Sequence, residues 1–390
     1  MRIGLERLLA NPRQHLGSAR AGLIANPTAV DHGLNHAIDL LHEHPEIKLA
    51  KLFGPEHGIR ATAQDMLGVG HGHDPKTGLP EVSLYGSTFA SLTPSDEDLE
   101  GLDALIFDIQ DVGSRYYTYA ATMALAMGAC AKNDLKMLVL DRPNPIGGTQ
   151  VEGGGLTAGY ENFCALYPVP QRHAMSVGEL AQLYNTTFDI GCELEVVTCE
   201  GWKRAQYYDQ TDLPWVMPSP NMPTLDTAIV YPGTCLLEGT KLSEARGTTR
   251  PFELLGAPYI DGHALRDELG KLNLPGVGFR PVHFQPTFHK YAEQDCGGIQ
   301  LHVQDRQSFE AYKTGLAIIW AIKQLYPKEF QWRNDTYEFR SDVPAIDLLT
   351  GFVDVREAID AGEPFETVAS RALRETEQYD TGRPRALLYE

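Results

Sequence analysis

The sequence predicts an α/β fold: a Rossmann-like, mostly parallel sheet covered by helices, followed by a smaller α+β domain. Two observations predict it. Short apolar runs alternate with helical segments through the first half, the pattern of parallel strands buried on both faces. From about residue 229 the alternation gives way to scattered strands and longer helices. A chain of 390 residues can bury two cores, so the expected domains are 1–228 and 229–390.

In the first domain, apolar runs at 20–26, 47–54, 104–110, 136–141 and 194–199 read as strands. The segments 33–43, 117–132 and 176–187 read as helices. The last opens on Ser176-Val-Gly-Glu179, a capping box in which each side chain satisfies the other residue's amide. In the second domain, helices are expected near 261–272, 308–325, 353–361 and 364–378, with strands near 277–285 and 298–304. The stretch 219–253 is too broken by Pro and Gly to be one regular element. It reads as the region where one domain hands over to the other, presenting Glu238, Glu244, Arg246 and Arg250.

The formal net charge of −19 argues against nucleic acid and anionic membrane as partners. No run of ~18 apolar residues is present to span a membrane. The N-terminus lacks a signal peptide's apolar core. The expectation is a cytoplasmic chain, or a periplasmic or secreted one whose leader has been removed. The six cysteines form no CxxC pair, which fits reduced thiols better than a disulfide framework. Several common uses of a parallel sheet lack their signatures: no GxGxxG follows a strand, and no GxxxxGK[ST], GxSxG or HExxH occurs.

Polar residues collect where strands end, the side of an open parallel sheet on which ligands bind. Gly54-Pro-Glu56-His57-Gly-Ile-Arg60 follows the second strand. A glutamate there can act as a general acid if a partly apolar pocket raises its pKa, or it can simply satisfy loop amides. Asp108-Ile-Gln-Asp111-Val-Gly-Ser-Arg115-Tyr116-Tyr-Thr-Tyr joins the third strand to a helix. Its acids and arginine suit sugar hydroxyls and its rings suit pyranose faces, although tyrosines of this kind also fill cores. Asp141-Arg142-Pro-Asn144 forms a rigid loop after the fourth strand, and Arg172-His173 precedes a helix. His71-Gly-His73-Asp74 has metal-like spacing but lies in a Gly/Pro loop.

GPEHGIR, DIQDVGSRYYTY, DRPNPIGG, QRHAMSVGELA, LPWVMPSPNMPT and YPGTCLLEGTKLSEARGTTRPFELLGAPYID together resemble one family, the NamZ-type exo-β-N-acetylmuramidases. The resemblance runs from about residue 20 to the C-terminal RALLYE. It implies a Rossmann-like domain and a smaller C-terminal domain with the site in the cleft between them. It also implies release of terminal N-acetylmuramic acid (MurNAc) from the non-reducing end of peptidoglycan fragments. The glutamate of GPEHG, here Glu56, is the implied catalytic acid. Matching motif positions imply a binding set of His57, Arg60, Asp111, Arg115, Tyr116, Asn144, Arg172, His173, Asn221, Glu238, Glu244 and Arg246. The chain departs from the family pattern at Gly154, where Pro is expected, and at Ala174, where Gly is expected.

Glycoside hydrolysis needs an acid at the leaving oxygen and a second group at the oxocarbenium-like centre. Glu238, Glu244, Glu152, Asp111 or the substrate's own acetamido group can fill the second role. The lactyl carboxylate of MurNAc calls for a guanidinium fork, from Arg142, Arg172, Arg246 or Arg250. No cofactor or metal is required by this chemistry. The expected partners are MurNAc-containing oligosaccharides or muropeptides. Two other readings stay open: a metal-dependent hydrolase using His71, His73 and Asp74, and a non-catalytic muropeptide-binding protein.

Overall fold

The computed structural model describes residues 1–56, 58–59, 72–373 and 376–390. Seven strands build the first sheet: β1 (Arg20–Ala25), β2 (Lys48–Gly54), β3 (Gly72–His73), β4 (Pro80–Ser83), β5 (Ala104–Asp108), β6 (Lys136–Leu140) and β7 (Glu193–Val197). Their order is β3-β4-β2-β1-β5-β6-β7, and every pairing is parallel except β3 with β4. β1, β5 and β6 are buried along nearly their whole length, which is why they read as unbroken apolar runs. The chain moves outward from β1 to β2 on one side and from β5 to β7 on the other. The carboxyl ends of β1, β2 and β5 therefore flank a topological switch point, where such sheets bind ligands.

The smaller second domain carries an antiparallel sheet of β8 (Leu254–Ala257), β9 (Val277–Phe284) and β10 (Cys296–Val303), ordered β8-β10-β9. The helix Ala311–Leu325 packs on the helix Leu225–Thr234. The two backbones nearly touch: a Cβ on Gly233 would lie 1.8 Å from the Ala311 carbonyl oxygen, and one on Gly315 would lie 2.1 Å from the Gly233 oxygen.

The expected strands and most expected helices form within a few residues of their predicted positions. The helix expected at 33–43 begins at Ala37, where the His36 side chain accepts the Ile38 amide as its cap. The segment expected as one helix over 364–378 contains Phe365–Ala372, and a separate helix runs Glu377–Ala386. That last helix packs on Val177–Thr187 of the first domain. Beyond it, the Tyr389 hydroxyl reaches Asp141 and accepts the Cys199 amide at 2.8 Å. The capping box forms as expected: Ser176 Oγ accepts the Glu179 amide at 3.2 Å, and Glu179 returns the bond at 2.9 Å.

Candidate active site

The Gly58 amide donates to the Pro55 carbonyl at 2.8 Å. Glu56 lies just past the end of β2, 6% exposed. The Thr118 hydroxyl donates to Glu56 Oε2 at 2.7 Å. Thr118 precedes the helix Tyr119–Lys132 in the N-cap position but makes no side-chain cap. A hydroxyl that would ordinarily serve the helix end serves the carboxylate instead.

Glu56 lines a narrow pocket to which both domains contribute. Its free space, mouth included, is ≈ 500 Å³. The first domain supplies Tyr116, Thr118 and Asn221; the second supplies Glu238, Arg246 and Glu338. The rings of Tyr116, Tyr117, Tyr119, Tyr231 and Phe252 meet edge to face with centroids 4.9–6.4 Å apart. Burial pushes the phenols of Tyr116, Tyr231 and Tyr337 far up, so they stay neutral donors. Tyr337 donates to Glu238 Oε2 at 2.7 Å, while Arg246 donates to Glu238 Oε1 at 2.6 Å. Arg246 also lies over the Phe252 ring at 5.2 Å.

The structure thus gathers Glu56, Tyr116, Asn221, Glu238 and Arg246 of the expected set around one pocket. His57, Arg60 and His71 lie outside the described residues. The remaining residues hold the walls from behind. Glu244 is fully buried against Lys290 Nζ at 2.8 Å, Arg246 Nε at 3.2 Å and His289 Nδ1 at 3.3 Å. Burial favours its neutral form, yet Lys290, His289 and Arg246 together hold it well below the usual carboxylate range. Arg142 forks onto Asp108 at 2.6 and 3.0 Å. Arg172 donates to Glu152 at 2.7 Å and to the Ile146 carbonyl at 2.8 Å. Arg250, half-exposed, pairs with Glu253 at 3.1 Å. Asn144 bridges Met175 and Ile146. Asp111 accepts the Gly113 amide at 2.6 Å and faces His173 Nε2 at 3.2 Å.

Arg115 is buried and donates to the carbonyls of Val169 at 2.9 Å, Gly154 at 3.3 Å and Leu349 at 2.6 Å. It clasps the first domain to the helix Ala345–Thr350 of the second. Both departures from the family pattern have a local setting. Gly154 donates its amide to Gln171 Oε1 at 2.7 Å, a bond that Pro cannot make. Ala174 sits at φ +52°, a conformation that Gly accepts more readily. Asp74 accepts the Thr77 amide at 2.8 Å and the Lys76 amide at 3.2 Å, the role of a turn residue. Among the described residues no group of three or more His, Cys, Asp or Glu is placed to hold a metal ion. No described helix is long and apolar enough to cross a membrane.

Glu338 was absent from the sequence expectations. It follows Tyr337 and lies in the pocket, 5% exposed. Nothing in TYEFRSD marks it, because its position depends on a turn that brings residue 338 beside residues 56 and 116.

Carboxylates, an arginine and tyrosines around a narrow pocket at a switch point are the functional groups of a carbohydrate hydrolase. The family models for exo-beta-N-acetylmuramidase NamZ match here, the N-terminal one over residues 21–226 and the C-terminal one over 229–389. The chain belongs to this family. It is 47% identical over 386 residues to the peptidoglycan beta-N-acetylmuramidase NamZ of Bacillus subtilis (strain 168), covering 99% of this chain and 91% of that protein. The crystal structure of a DUF1343 family protein from Bacteroides fragilis NCTC 9343 superposes with a TM-score of 0.90 at 34% identity, over 100% of this chain and 99% of that one. A second DUF1343 structure from the same organism gives 0.75 at 31% identity, with the same coverage.

Proposed function

We propose that this chain is an exo-β-N-acetylmuramidase that releases terminal MurNAc from the non-reducing end of peptidoglycan fragments, with Glu56 as general acid. One observation carries the reading: the glutamate of the family's GPEHG motif is buried in the tyrosine-walled pocket and held by Thr118. In the protonated state it donates to the leaving oxygen. Residues 1–228 supply this acid, and residues 229–390 complete the pocket. Of the four candidate arginines, Arg246 stands on the pocket wall, while Arg142, Arg172 and Arg250 are committed to Asp108, Glu152 and Glu253. Because it lines the pocket, Arg246, itself paired with Glu238 and Glu244, is assigned to the lactyl carboxylate. The net charge of −19 supports a small-molecule or oligosaccharide substrate over nucleic acid.

The test is release of free MurNAc from a chromogenic MurNAc glycoside. The wild-type chain turns it over, and Glu56→Gln lowers kcat by about 10²–10⁴-fold, the contribution of a positioned acid. A wild-type chain that binds muropeptides without releasing MurNAc would instead be a binding protein. Equal rates on MurNAc and N-acetylglucosamine glycosides would remove the assignment of Arg246.

A further inference from the structure

We infer that Thr118 is a positioning residue for the acid, selecting which oxygen of Glu56 carries the transferred proton; the inference rests on the glycosidase reading of the pocket. Its hydroxyl donates to Glu56 Oε2 at 2.7 Å. An ionised carboxylate only accepts hydrogen bonds, so a hydroxyl beside it must be the donor. Thr118 has one such proton, and Oε2 receives it. In neutral Glu56 the carboxyl proton therefore sits on Oε1, and Oε1 is the atom that meets the leaving oxygen.

The backbone around Thr118 is built for this contact. A threonine at an N-cap ordinarily takes extended backbone and accepts an amide of the first turn. Thr118 instead takes helical backbone, at φ −62° and ψ −9°, and its side chain caps nothing. Its place is fixed from both sides. The Thr118 carbonyl accepts the Thr122 amide at 2.8 Å and the Thr122 hydroxyl at 3.2 Å. The next residue, Tyr119, donates its hydroxyl to the Pro218 carbonyl at 2.8 Å, and Asn26 holds the same carbonyl at 3.3 Å. A β-branched side chain on a helix start has few rotamers to choose from. Thr118 is 9% exposed and Glu56 6%, so water has little access to the pair.

The contact strengthens as the reaction proceeds. Glu56 gives its Oε1 proton to the leaving oxygen as the bond from the anomeric carbon to that oxygen breaks, the electron pair going to the oxygen. The carboxylate left behind is ionised, and the bond from Thr118 becomes charge-assisted and shorter. An interaction that is stronger in the transition state than in the ground state lowers the barrier. Water then supplies the hydroxyl of the anomeric carbon and the proton that restores Glu56.

The experiment measures kcat/KM of wild type, Thr118→Val, Thr118→Ala and Thr118→Ser on a MurNAc disaccharide and on a 2,4-dinitrophenyl MurNAc glycoside. A sugar alcohol leaves poorly unless it is protonated, whereas dinitrophenolate departs without a proton. Val keeps the shape of Thr and removes only the hydroxyl. Ala removes the hydroxyl with no demand for space, so the comparison holds even where Val is poorly accommodated. The expected result for Val and Ala is a fall of about 10–100-fold on the disaccharide, the loss of one hydrogen bond to a charged group. On the dinitrophenyl glycoside both stay within about threefold of wild type, because no general acid is needed there. Ser, which restores the hydroxyl, recovers the disaccharide rate to within about threefold. A merely structural role would slow both substrates alike, and equal losses on the two overturn the inference. So does a disaccharide loss of less than about tenfold in both Val and Ala, or a Ser variant no faster than they are. A wild-type chain inactive on both substrates overturns the glycosidase reading, and this inference with it.

Discussion

At the scale of single residues, Glu238 and Glu244 show how one sequence pattern yields different settings. Six positions apart in one polar run, they look alike in sequence. Glu238 reaches the pocket, whereas Glu244 is sealed behind it against Lys290, His289 and Arg246. What separates them is burial, set by residues 46 positions downstream, and no local pattern encodes that. Replacing Glu244 with Gln strands Lys290 and should cost about 3–5 kcal/mol, read as a lower urea midpoint at neutral pH. The sign of the pH dependence follows from the depressed folded-state pKa. The ion pair's stabilisation is fully present above the unfolded carboxylate value of 4.5 and is lost as pH falls toward the folded one. The urea midpoints of wild type and Glu244→Gln should therefore converge as the buffer is acidified below that value. Glu56, by contrast, was legible, because a short motif at a strand end fixes both its identity and its place.

At the scale of elements, the central strands were legible because burial on both faces leaves only apolar residues to choose from. β3, β4 and β8 were not, since each is two to four residues long and its pairing is decided by neighbours rather than by its own preference. Ser176–Glu179 announced its helix because a capping box is local chemistry. The crossing of Leu225–Thr234 with Ala311–Leu325 was invisible, since it depends on Gly233 meeting Gly315 across the fold. A methyl group on Gly315 would be forced into the Gly233 carbonyl. Gly315→Ala should therefore destabilise the protein by about 1–3 kcal/mol, the usual range for overpacking. Thermal unfolding would show it, and an unchanged midpoint would mean that the helices separate freely.

At the scale of the whole molecule, the pocket exists only where the two domains meet, and Arg115 is one of the clasps that hold them. Its guanidinium donates to carbonyls of both domains, including Leu349, 234 positions away. In sequence Arg115 belonged to a sugar-binding motif; the long-range carbonyls that occupy it could not be read there. Arg115→Met should leave Val169 and Leu349 carbonyls unpaired at about 1–3 kcal/mol for each group. Activity should fall together with stability as the domains loosen. A variant with wild-type stability but lost turnover would instead place Arg115 in direct contact with substrate.

Tyr389 lends this architecture a timetable. Its hydroxyl serves Asp141 and the Cys199 amide, and 190 residues separate Cys199 from Tyr389. At translation rates of ~5–20 residues per second, roughly 10–40 s pass between synthesis of the two. During that interval the nascent first domain holds a buried-type carboxylate and the Trp202 ring without their eventual cover. The seam that Tyr389 covers on the first domain therefore closes only once the C-terminal segment is available to it.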